Sequence, residues 1–105
     1  MPMQRLPLIA ALAFLPLTAN AQVSEKHGRA LAQEFCGACH AVDKSGASPK
    51  PEAPPLRVIA RTSDLDGFVA RLQGGIASDH PDMPEVKFEE KDARDMRAYL
   101  RTIQQ

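Results

Sequence analysis

The chain has 105 residues, 44% hydrophobic and 25% charged, which fits one globular domain. Lys plus Arg and Asp plus Glu number 13 each, and that balance excludes a nucleic-acid binder that relies on basic excess to meet phosphates. A chain this short buries little apolar area, so its domain calls for a staple: a disulfide, a metal or a large inserted group.

The first residues do not belong to that domain. Arg5 gives a short n-region its positive charge. Residues 6–17 are apolar apart from prolines, and Thr18-Ala19-Asn20-Ala21 supplies the small residues of a cleavage site. A spanning helix needs about 20 apolar residues; this run is shorter and holds Pro7 and Pro16. Residues 1–21 therefore read as a cleaved export signal. Residues 22–105 read as the mature domain, which is expected in the periplasm with no membrane span. Loss of Arg5 leaves it slightly acidic.

In chain order, a first helix is predicted over residues 23–35, with Ser24 as N-cap and Glu25 at its positive end. Gly28, Leu31, Ala32 and Phe35 share one side of it. Residues 43–55 hold Pro49, Pro51, Pro54 and Pro55 with Ser45, Gly46 and Ser48, and read as loop. Residues 56–60 predict a short helical turn. Ser63 with Asp66 resembles a capping box, and Leu65, Phe68, Val69 and Leu72 make a helical stripe that Gly74-Gly75 stops. A second loop covers residues 76–87. The last helix is predicted over residues 89–103, with Met96, Tyr99, Leu100 and Ile103 as its apolar stripe, acidic residues early and arginines late. No segment alternates at period two, so the domain reads as all-α. The residues expected to form pocket and core are Leu31, Phe35, Leu56, Phe68, Val69, Leu72, Met96 and Leu100.

Cys36-Gly37-Ala38-Cys39-His40 is the strongest chemical signal. C-x-x-C-H is the attachment motif of c-type haem. Two cysteines three apart on a helical turn lie on one face, so each sulfur can form a thioether with one haem vinyl group. The next residue, His40, then offers a neutral imidazole to the iron. A redox C-x-x-C would sit beside a β-α-β pattern, which is absent. A structural zinc site wants four ligands, and His27, His40 and His80 lack zinc-finger spacing. Met83 is the candidate for the second axial position. It stands in a loop between Pro81 and Pro84, where stiffness holds a weak thioether ligand at lower entropic cost. His80, three residues away, is the competing ligand. Met96 belongs to a helix stripe and reads as core filler, and His27 reads as solvated.

With these residues in view, the mature chain resembles the class I cytochromes c along essentially its whole length. The order matches: one helix, the attachment motif, a distal Met in a late loop, and a closing helix. The resemblance implies an all-α cytochrome c fold of three to five helices wrapped around one haem c, held covalently through Cys36 and Cys39, with His40 and Met83 on the iron. It implies that Gly28 lets the first and last helices cross closely, where Tyr99-Leu100 packs. It matches Pro54-Pro55-Leu56 to the family's Pro-x-Leu. In that match the Pro54 carbonyl accepts a hydrogen bond from His40 Nδ1 and Leu56 packs on the haem, with Pro55 as the alternative acceptor. The chain departs from the pattern in having no glycine beside Met83 and no Trp. Surface solvation is the expected role of Arg57 and Arg61, with pairing of a haem propionate the alternative.

The function these features imply is one-electron transfer between redox proteins, not enzymatic turnover, because iron with two protein ligands has no open position for substrate. The partners would be a dehydrogenase, oxidase or reductase, met transiently by a monomer. The scattered Lys26, Lys44, Lys50, Lys87 and Lys91 imply weak electrostatic steering and a partly apolar contact. The alternative is a gas-binding or peroxidase-like haem protein whose sixth ligand is labile.

Overall fold

The computed structural model describes residues 2–5, 7, 17–76 and 80–105. Most of the apolar run of the expected export signal lies outside them. The elements are α1 (Leu17–Phe35), a 3-10 turn (Leu56–Val58) that runs into α2 (Ile59–Thr62), α3 (Leu65–Gly74) and α4 (Glu90–Ile103). Among the described residues there is no strand, only an isolated antiparallel bridge between Ile76 and Val86. No described helix is long and apolar enough to cross a membrane.

Helix α1 starts before its predicted beginning at residue 23, so Ser24 lies inside it and caps nothing. No proline or glycine occurs between Leu17 and His27, so nothing in that stretch interrupts the backbone hydrogen bonds. Residues 19–23 are exposed and add no core surface.

Helices α1 and α4 form the main packing contact. Their crossing turns on Gly28. A Cβ there would collide with the Asp95 carbonyl oxygen and come within 2.8 Å of Tyr99 Cβ, so only a glycine admits this approach. The Tyr99 hydroxyl donates to the Val42 carbonyl, which ties the start of the first loop to α4. His27, expected in solvent, bonds instead across the same crossing. Its Nδ1 lies 2.7 Å from Asp95 Oδ2, and Lys91 Nζ lies 3.1 Å from the same oxygen. Burial pushes the Asp95 carboxyl up, but the hydrogen bonds from His27 and Lys91 outweigh it and hold the group below the usual carboxylate range.

The α3 cap differs from the sequence expectation. Asp64, not Ser63, is the N-cap, its carboxylate accepting from Gly67 N at 3.2 Å, while Ser63 Oγ donates back to Ile59 O at 3.4 Å. The short link leaves Ser63 closing α2 and hands the cap to its neighbour. Helix α3 ends at Gly75, whose φ of 99° suits a glycine. Arg97 on α4 reaches Asp66 on α3 at 2.9 Å.

Of the expected core, Leu31, Leu56, Val69, Leu72, Met96 and Leu100 are buried. Phe68 is only half-buried against that cluster. Phe35 is 47% exposed, and its ring meets Phe88 edge-on at 5.2 Å. The chain end fastens the 3-10 turn. Gln104 Oε1 accepts from Ala60 N at 2.9 Å, Gln104 Nε2 donates to Leu56 O at 2.9 Å, and Gln105 N donates to Arg57 O at 2.9 Å. Leu56 is thereby fixed beside α4.

Candidate cofactor site

The attachment motif continues α1 without being part of its regular turns. Cys36 N bonds Ala32 O at 2.9 Å, and His40 N bonds Cys36 O at 2.9 Å, so residues 36–40 wind as one more turn. Cys36 and Cys39 are half-buried free thiols. Before the thioether forms, burial pushes the Cys36 thiol up to about 11.

The loop after the motif folds back onto it. Ala41 N donates to Ser48 Oγ at 2.9 Å, Lys50 N to Cys39 O at 3.1 Å, and Leu56 N to Ala41 O at 2.9 Å. This return brings the Pro54 carbonyl within 2.6 Å of His40 Nδ1. A carbonyl only accepts, so Nδ1 carries the proton and Nε2 keeps its lone pair.

A cavity of about 450 Å³ opens beside the turn, lined by Cys36, Cys39, His40, Pro54 and Leu56 on one side of the sequence and by His80, Met83 and Val86 on the other. Phe35, Ile59, Phe68, Leu72 and Ile76 complete its apolar walls, and Lys50, Arg71 and Asp82 add charges. Its volume falls in the range of pockets that hold cofactors. The residues present fit a haem: two thiols at one turn, an oriented imidazole, a thioether and apolar walls.

All six expected site residues, Cys36, Cys39, His40, Pro54, Leu56 and Met83, line this one cavity. His80 lines it too. Met83 is half-buried and packs on the hydrophobic cluster, whereas His80 is exposed. Met83 N accepts its place in a turn by donating to His80 O at 3.1 Å. Met96 is 1% exposed in the core and does not line the cavity. Neither Arg57 nor Arg61 lines it; Arg57 is half-buried, and Arg61 Nε donates to Gln105 O at 3.2 Å.

Several contributors escape the sequence reading. Ile76 and Val86 exchange backbone hydrogen bonds of 2.7 and 3.0 Å, and Phe88 N donates to Leu72 O at 2.6 Å, closing the base of the Met83 loop. The spacing of Val86 and Phe88 was the only local sign. Arg71 lines the cavity with its guanidinium 5.8 Å from the centre of the Phe68 ring, a cation that the sequence reading does not name for this site.

Comparison with known proteins agrees with the geometry. The cytochrome c family model matches residues 25–104. A cytochrome c-552 of Bradyrhizobium diazoefficiens is 29% identical over 77 residues, covering 73% of this chain and 72% of that protein. No solved structure matches the chain. The chain belongs to the cytochrome c family, and with the C-x-x-C-H turn at the cavity it is a haem electron carrier whose cofactor is covalent haem c.

Proposed function

We propose that the chain is exported, loses residues 1–21, and works in the periplasm as a monomer that passes one electron at a time between redox proteins, with His40 and Met83 as the axial ligands of its haem. The observation that carries this reading is that both residues line the cavity that Cys36 and Cys39 border, with the His40 ring already held by Pro54.

When bound, the haem supplies a one-electron couple. Cys36 and Cys39 hold it through thioethers, so it stays with the protein through each cycle. The His40–Pro54 bond fixes the imidazole tautomer and orientation. Met83, an uncharged thioether, favours the reduced state, as do the apolar walls formed by Leu56, Leu72 and Val86. Arg71 offers its charge to a haem carboxylate. With two protein ligands on the iron the protein needs no substrate position.

The test uses holoprotein recovered from the periplasm of an expression host, with Gln22 as its expected first residue. Ferric wild-type protein should show the sulfur-to-iron charge-transfer band at the red end of the visible. Met83→Ala should abolish it, lower the potential and admit carbon monoxide to the reduced protein. His80→Ala should keep the band and leave the iron closed. The opposite pattern would make His80 the ligand and overturn the Met83 assignment.

A further inference from the structure

We propose that Lys50 and Asp82 form a clasp over the cofactor cavity that positions Met83, so that this ion pair sets how long the sixth position stays shut. The inference rests on the reading of Met83 as a haem ligand.

The pair joins two walls of the cavity. Lys50 Nζ lies 3.1 Å from Asp82 Oδ2, and both residues line the cavity. On one side the link is firmly based. Lys50 N donates to Cys39 O at 3.1 Å and Lys50 O accepts from Ala53 N at 3.0 Å, so the lysine is anchored to the turn that holds the haem. On the other side Asp82 directly precedes Met83. The turn that carries them is closed locally by Met83 N to His80 O at 3.1 Å and by Asp82 N to His80 Nδ1 at 3.3 Å. Those local bonds shape the turn but do not tie it to the attachment side. The ion pair does, across 32 residues of sequence. A thioether is a weak ligand, so the turn that carries it must be kept in register with the iron by something else.

The magnitude is bounded by exposure. The side chains are 38% and 65% exposed, so the pair is screened and its removal should change the open population only about two- to fivefold. That is too small to unfold the protein and large enough to read as a rate.

The test follows uptake of imidazole by ferric holoprotein, which requires Met83 to leave, through loss of the charge-transfer band. Asp82→Asn and Lys50→Gln should each speed uptake about two- to fivefold at low salt, and the double variant should go no faster than either single. The advantage should vanish near 1 M salt, where screening acts over about 3 Å. The reversed pair, Lys50→Glu with Asp82→Lys, should return uptake toward the wild-type rate. Singles that react at the wild-type rate in a protein that shows the band would overturn the clasp alone. A wild-type protein without the band would overturn the Met83 reading, and the clasp with it.

Discussion

His27, Asp92, Asp95 and Lys91 meet where α1 crosses α4, and the buried member decides what the group does. Asp95 is 7% exposed, so its charge needs partners, and His27 at 2.7 Å and Lys91 at 3.1 Å provide them. Asp92 stands 4.0 Å from the same His27 nitrogen. Because the folded carboxyl is held below its usual range, it binds its proton less readily than in the unfolded chain. Its contribution is therefore present above the unfolded value of about 3.9 and is lost as pH falls through the lower folded value. Asp95→Asn keeps the shape but loses the charge that pairs with Lys91 and is a weaker acceptor for the His27 hydrogen bond. Thermal or urea unfolding of the holoprotein at pH 7 should show a loss of about 1–3 kcal/mol. The gap between variant and wild type should begin to shrink as pH falls below about 4 and close only below the lower folded value, where the wild-type carboxyl is also neutral. A gap that held constant with pH would mean the carboxylate is not the stabilising form.

Among the elements, the α1–α4 crossing is the one with least freedom to adjust. At Gly28 the obstacle to a side chain is the Asp95 backbone itself, not a movable side-chain tip. Gly28→Ala gains the helix propensity that favours Ala by up to about 1 kcal/mol but forces the helices apart, which in packed interiors costs typically 1–3 kcal/mol. The steric cost is expected to win. Calorimetry should show a lowered Tm with the visible spectrum retained, because Gly28 does not line the cavity. An unchanged or raised Tm would show that the crossing can relax.

The same elements show which parts of the fold are legible locally. The stripes of α3 and α4 are written at helical spacing, and Gly74-Gly75 marks its stop, so those elements follow from sequence. The attachment turn carries its chemistry in five consecutive residues. What could not be read depends on contacts between distant segments. The Ile76–Val86 bridge and the Lys50–Asp82 pair join segments whose local patterns say only loop. His27 appears solvated until α4 sets Asp95 beside it. The choice of Asp64 over Ser63 as cap is a shift of one residue that neighbouring α2 decides.

At the scale of the whole molecule, the cavity is a structural term as much as a functional one. Its walls take buried residues from three segments: Leu56 from the 3-10 turn, Leu72 from α3, and Ile76 and Val86 from the bridged loop. Left dry, a cavity of about 450 Å³ would leave these apolar walls without packing partners. Filling the void with water instead would wet the same apolar walls, which is unfavourable in proportion to their area. The two long helices could still touch at Gly28, but α3 and the Met83 loop would have lost the surface they close upon. Cys36→Ala with Cys39→Ala removes both thioether anchors. Purified free of haem, as judged by absent absorption in the visible, that variant should show weakened far-ultraviolet circular dichroism and no cooperative thermal transition, whereas wild-type holoprotein should unfold in one step. A sharp transition in the haem-free variant would mean that the α1–α4 contact alone specifies the fold and that the cavity tolerates being empty.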